Sequence, residues 1–185
     1  MIEKEPDYVF KIAAVGDYCV GTTSLITYFI QRKFHYNTHP TFGVNLILKE
    51  MVIHDKQGKN ILCNILLWDL SGRASYATVR KLYYKGCSAA LLVYDITRMD
   101  TFDSIEAVWS KEYKENTTGE HIFAIAGNKA DLVDIRKVPA VNGEDLRQKI
   151  GATQFLETSA KDGTNVVEAF MNLVNVLLKK SGENV

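Results

Sequence analysis

The sequence predicts an α/β fold: a mostly parallel six-stranded sheet with one antiparallel edge strand and helices on both faces. Two patterns lead there. Short apolar runs of strand length alternate with longer amphipathic stretches along most of the 185-residue chain, the rhythm of strands joined by helical crossovers. Once only, two strand-like runs follow one another directly, at 44–54 and 60–68. The turn-forming Asp55-Lys56-Gln57-Gly58 lies between them, so these two pair as a hairpin.

In order, the run 8–15 is apolar and stops at Gly16, and an amphipathic segment at 22–32 follows; this is strand, glycine loop, helix. After the hairpin, strands are expected at 89–96, 122–128 and 154–157, alternating with helices at 101–115, 142–149 and 166–180. There is no repeat and no low-complexity linker, and Pro6, Pro40 and Pro139 all fall where loops are expected. With 46% hydrophobic residues, the chain can bury a core as one domain over 1–185, its body at about 8–180.

Composition removes several classes of function. Twenty-two Lys+Arg balance twenty-two Asp+Glu, so no global field draws the chain to nucleic acid. Cys19, Cys63 and Cys87 lack metal-ligand spacing and cannot all pair, which fits a reducing cytosolic compartment. His35 and His39 are four apart, but Pro40 and the loop context deny them one helical face. No apolar run is long enough to span a bilayer.

Four short motifs carry the chemistry. Gly16-Asp17-Tyr18-Cys19-Val20-Gly21-Thr22-Thr23 has the glycine spacing of GxxxxGK[ST] between a strand and a helix, with Thr22 where lysine is required. Its glycines let the backbone curl round a phosphate. The N–H groups of Cys19, Val20, Gly21, Thr22, Thr23 and Ser24 would point at the anion, and the Thr23 hydroxyl would be offered to Mg²⁺. Alone, the motif is equally a glycine-capped turn.

Trp68-Asp69-Leu70-Ser71-Gly72 places a carboxylate near that metal and the Gly72 amide where a terminal phosphate is sensed. Asn128-Lys129-Ala130-Asp131 follows another strand. The Asp131 carboxylate there can accept both the N1–H and the 2-amino hydrogens of guanine, a pair adenine cannot make. In Glu157-Thr158-Ser159-Ala160-Lys161, backbone N–H groups from Ser159 to Lys161 would meet the base carbonyl. Each match by itself has a bland alternative as a cap or surface charge. Four in this order, at successive strand ends, describe a P-loop NTPase fold that binds a guanine nucleotide.

Over about 8–180 the chain resembles the Ras superfamily of small GTPases, most closely its Rab branch. The resemblance rests on these motifs together with Thr41-Phe42-Gly43-Val44, Tyr83-Tyr84-Lys85-Gly86, Tyr94-Asp95-Ile96-Thr97, Thr101-Phe102 and Trp109. It implies that Thr41 joins Thr23 on Mg²⁺ and touches the γ-phosphate, while Asp69 holds the ion through water. It also implies that Phe34 and the Lys129 stem flank the base, and that Leu46, Trp68 and Tyr83 meet effector, exchange-factor and GTPase-activating proteins, with core packing an equal alternative for Trp68 and Tyr83. Leu46 stands where phenylalanine is usual.

Three residues depart from the family pattern. Thr22 removes a charge-assisted bond to the β- and γ-phosphates, worth ~1.5–3 kcal/mol, or roughly 10- to 150-fold in affinity. Arg73 follows Gly72 where a glutamine would orient the attacking water; a guanidinium has donors only and cannot accept from that water, so GTP hydrolysis at Thr41, Gly72 and Arg73 should be slow. A second role for Arg73 is to swing inward and replace the charge lost at Thr22. Tyr18 is a bulky side chain where the family is small, placed to shield the γ-phosphate.

The leading expectation is a cytosolic Rab-like switch that binds GTP or GDP with Mg²⁺ and acts in vesicle trafficking at the cytosolic face of endomembranes. The rival is a non-catalytic module on the same fold, nucleotide-locked or nucleotide-free. No cysteine follows Cys87, so membrane attachment would need a lipidated tail beyond Val185.

Overall fold

The computed structural model describes residues 5–36 and 41–185; His39 and Pro40 lie outside them, so the His35/His39 pair and the Pro40 loop are not described. One sheet carries six strands in the order β2-β3-β1-β4-β5-β6. These are β1 (Tyr8–Gly16), β2 (Val44–His54), β3 (Asn60–Leu70), β4 (Ala89–Asp95), β5 (Phe123–Asn128) and β6 (Gln154–Glu157). All neighbours run parallel except β2 and β3, whose antiparallel register sets Val44 opposite Leu70 and His54 opposite Asn60. The expected hairpin is therefore the sheet's antiparallel edge.

The central strands are apolar throughout because both faces are covered. Successive β1 residues alternate between two cores: Ile12 and Ala14 pack with α1 (Thr22–Gln31) and α6 (Val166–Lys180), while Ala13 and Val15 face the opposite side. On the first face Phe29 and Phe170 stack with ring centroids 4.5 Å apart. On the second, Tyr84, Tyr94, Trp109 and Tyr113 form a fully buried aromatic layer beneath α2 (Ala77–Tyr84), α3 (Met99–Ser104), α4 (Ser110–Asn116) and α5 (Ala140–Ile150).

Two features depart from the sequence expectation. The stretch read as one helix at 101–115 is α3 and α4 joined by a π-helical turn, Ile105–Trp109. Helix α2 was not expected, since its inward positions are Arg80 and Tyr84. A charged residue on the buried face interrupts the apolar period by which such a helix is recognised.

The parallel topology puts the C-terminal ends of β1, β3, β4, β5 and β6 along one rim. The four motifs that carry chemistry, at the ends of β1, β3, β5 and β6, sit along that rim, the place where open α/β sheets bind ligands.

Candidate functional site

The loop after β1 is held in shape by close backbone approach. Gly21, at φ +100, directly precedes α1, and a Cβ built there would lie 2.4 Å from the Asn128 amide nitrogen. That nitrogen donates to the Val20 carbonyl at 2.8 Å, while the Asn128 carbonyl oxygen accepts from the Thr158 hydroxyl and the Ala160 N–H, both at 3.3 Å. The buried Asn128 thus ties the β1, β5 and β6 loops together. Gly72 is equally confined: a Cβ there would meet the Gly16 carbonyl oxygen at 2.0 Å.

A cavity of about 130 Å³ lies over this loop, lined by Tyr18, Cys19, Gly21, Thr22, Thr23, Ser24, Thr41 and Gly72 among others. At its floor the Thr23 hydroxyl donates to Asp69 Oδ2 at 2.6 Å, and the Thr41 hydroxyl lies 2.8 Å from Thr23 Oγ1 and 3.2 Å from the same Asp69 oxygen. Asp69 is only 1% exposed, and its Oδ1 has no hydrogen-bond partner among the described residues. Burial pushes its carboxyl above the usual range, opposed by the hydroxyls of Thr23, Thr41 and, least, Thr22. An under-satisfied buried carboxylate beside two hydroxyls is a hard oxygen donor set, so these residues fit a small divalent cation such as Mg²⁺.

A second cavity of about 340 Å³ adjoins the first, sharing Cys19, Gly21 and Ser24 with it. Its walls include Phe34, Tyr36, Asn128, Lys129, Asp131, Leu132, Ala160 and Lys161. Lys129 Nζ pairs with the buried Asp95 at 2.6 Å, fixing the lysine stem along the wall. Asp131 Oδ1 accepts from the Ser159 hydroxyl at 2.8 Å, and Lys161 Nζ lies 3.7 Å from Oδ2. Ser159 is itself fully buried, so it positions Asp131 from behind. Cys19 and Lys129 both adopt positive φ, at 65° and 67°. Two strained non-glycine residues on one cavity mark the kind of site where strain is retained for binding.

Arg73 is not among the described residues that line the smaller cavity. Its guanidinium carbon lies 4.9 Å from the Tyr18 ring centroid and 5.2 Å from that of Phe42. Two of the unusual residues in the sequence, Tyr18 and Arg73, thus meet each other, with Phe42 as the second ring. Arg98 donates to the Tyr18 carbonyl at 2.9 Å, bracing the loop from outside.

On the β2–β3 edge, Leu46 lies opposite Trp68 and is 51% exposed, and the Trp68 and Tyr83 rings pack at 5.1 Å. Lys11 Nζ caps the Trp68 ring at 4.3 Å. The three residues expected as a contact triad are therefore contiguous.

The residue that sequence analysis missed is Arg80. It is 4% exposed, forks onto Glu112 at 2.6 and 2.9 Å, and donates to the Ser71 carbonyl at 2.6 Å. Its partner lies 32 positions away and on another helix, so no local pattern could have pointed to the pair. Phe42, Tyr36 and Asp95 were likewise given no role.

The family model described as the Ras family matches residues 11–179. The chain belongs to the Ras family. Within it the chain is of the Rab branch. It is 37% identical over 163 residues to the Ras-related protein Rab-31 of Rattus norvegicus, covering 88% of this chain and 80% of that protein. It is 36% identical over 173 residues to the Ras-related protein RABA2d of Arabidopsis thaliana, covering 94% and 76%, and 34% identical over 173 residues to Rab2BV of Beta vulgaris, covering 94% and 78%.

Proposed function

We propose that this Rab-branch protein binds GTP and GDP in the joined cavities, hydrolyses GTP slowly and recruits partners through its switch surface in vesicle trafficking. The observation that carries this proposal is the continuity of the two cavities. The smaller ends at a glycine loop and helix N-terminus suited to phosphates, the larger at a positioned carboxylate suited to guanine, and Cys19, Gly21 and Ser24 join them.

The residues divide the work. The amides of Cys19 and of Gly21 to Ser24 cradle the phosphates, whereas the expected Val20 amide is buried and donates to the Asp17 carbonyl at 3.3 Å; Thr22 adds a hydroxyl but no charge. Thr23, Thr41 and Asp69 hold Mg²⁺, which when bound neutralises phosphate charge. Phe34 and the Lys129 stem flank the base and Asp131 recognises its edge, held by Ser159; Ala160 and Lys161 close the far wall. Asn128 keeps these loops in register. Gly72 senses the terminal phosphate. Arg73, held on the Tyr18 and Phe42 rings, offers donors only and does not orient water, which makes turnover slow.

Effectors, exchange factors and GTPase-activating proteins would meet Leu46, Trp68 and Tyr83. A non-catalytic module is the second reading, favoured by the clamping of Arg73 outside the cavity. The test is to identify nucleotide retained by the purified protein, then compare binding and single-turnover hydrolysis with Thr22→Lys and Arg73→Gln. Thr22→Lys is expected to tighten GTP roughly 10- to 150-fold, and Arg73→Gln to speed hydrolysis. Absence of guanine-nucleotide binding would refute the proposal, and no gain from Arg73→Gln would refute the water-orientation role.

A further inference from the structure

The loop Ser71-Gly72-Arg73 carries the residue placed to sense a terminal phosphate, yet two of its three carbonyls are already claimed from below. Arg80 Nη1 donates to the Ser71 carbonyl at 2.6 Å and to the Arg73 carbonyl at 3.3 Å, the two peptide oxygens that bracket Gly72. The same guanidinium spends Nε and Nη2 on the Glu112 carboxylate at 2.6 and 2.9 Å. Its face lies on the Trp109 ring at 4.6 Å. A buried, forked arginine with both ends used has little freedom to move.

Glu112 and Trp109 reach Arg80 from the adjacent helical segments on the same face of the sheet. Trp109 closes the π-helical turn Ile105–Trp109 and Glu112 lies in the first turn of α4, three positions on. A π turn is uncommon in a helix and recurs at functional positions. The anchoring also extends upward, because the Ser71 N–H donates to the Gly43 carbonyl at 3.0 Å, next to Phe42 and Thr41.

We propose that Arg80 is a positioning residue that presets the Gly72 loop in its phosphate-sensing arrangement, so that a triphosphate finds the loop formed rather than having to order it. The proposal rests on the guanine-nucleotide reading above and concerns the discrimination between GTP and GDP at that site. A preformed loop lowers the ordering cost charged to the ligand that touches it. The γ-phosphate touches it and the diphosphate does not. Arg80 therefore raises affinity for GTP selectively and makes the switch surface less dependent on which nucleotide is bound.

The test compares wild type with Arg80→Met/Glu112→Met, which removes both charges together because removing one alone strands the other in the core. Affinities for GDP and for a non-hydrolysable β,γ-imido GTP analogue are measured by displacement of a fluorescent guanine nucleotide. The expected result is an analogue affinity about tenfold weaker, the scale of one charge-assisted hydrogen bond, with GDP affinity unchanged. An unchanged ratio of the two affinities, or an equal loss in both, overturns the proposal. Wild type binding neither nucleotide would instead overturn the guanine-nucleotide reading.

Hydrogen exchange on the wild-type protein needs no variant. Amides from Gly72 to Tyr76 should be protected alike in the GDP and analogue complexes; protection gained only with the analogue would overturn the proposal even if the double variant did not fold.

Discussion

Replacing Gly21 by alanine should be far more damaging than its single methyl group suggests. The backbone there sits at φ +100, where an L side chain costs about 1–2 kcal/mol. The added Cβ would stand 2.4 Å from the Asn128 amide nitrogen. Asn128 cannot turn aside freely, since it is 1% exposed and its amide is bonded to Val20, Thr158 and Ala160. Displacing it leaves buried polar groups unpaired, at about 1–3 kcal/mol. The two contributions together give a loss of about 2–5 kcal/mol, a large fraction of a typical domain's stability.

Gly119→Ala is the control: φ is +86 and nothing among the described residues lies within 4 Å of its Cβ, so only the backbone cost applies. Urea denaturation of both variants, compared at constant m value, separates the two contributions. Equal losses for Gly21→Ala and Gly119→Ala would refute the claim that Asn128 couples the phosphate loop to the base-side loops.

A double-mutant cycle on Tyr18→Ala and Arg73→Ala should show a coupling of about 0.5–1 kcal/mol, the exposed-site scale, because Tyr18 is 47% exposed. Zero coupling would dissolve the clamp. Arg73→Ala should leave nucleotide affinity nearly unchanged, since its guanidinium rests on the rings; a marked loss would show that it reaches inward to the phosphates. Among the thiols, Cys19 is exposed on both cavities, whereas burial pushes Cys63 and Cys87 up to about 11. At pH 8 iodoacetamide should therefore modify Cys19 first and bound GDP should slow it, while the half-buried Cys87 reacts more slowly and the fully buried Cys63 reacts only on unfolding. Labelling of Cys19 indifferent to GDP would argue against nucleotide occupying the joined cavities.

Much of the candidate site was legible beforehand because phosphate and base recognition call for short, contiguous strings of residues. Gly16 to Ser24, Asn128 to Asp131 and Ser159 to Lys161 each announce themselves locally and each lies on the rim, although the Ser159 and Ala160 N–H groups expected to face a base carbonyl donate instead to the Thr164 carbonyl at 3.0 Å and to Asn128 Oδ1 at 3.3 Å. The alternation of strands and helices emerged from the same local rhythm, with boundaries shifting by a residue or two; the strand order came only with the tertiary structure. Helix α2 was hidden because its inward position is Arg80, whose partner is remote, and a periodicity rule can only read it as solvent-facing.

By itself the sequence determined the α/β alternation, the lone hairpin and the loops bearing the binding motifs, since backbone propensity and motif spacing are properties of neighbours along the chain. Only the tertiary structure decided what the departures do. It set Arg73 against Tyr18 and Phe42, left one oxygen of Asp69 without a partner among the described residues beside Thr23 and Thr41, and placed Glu112 beneath Arg80. These pairings join residues tens of positions apart, and charge, ring and burial acquire consequences only once the sheet has closed the distance between them.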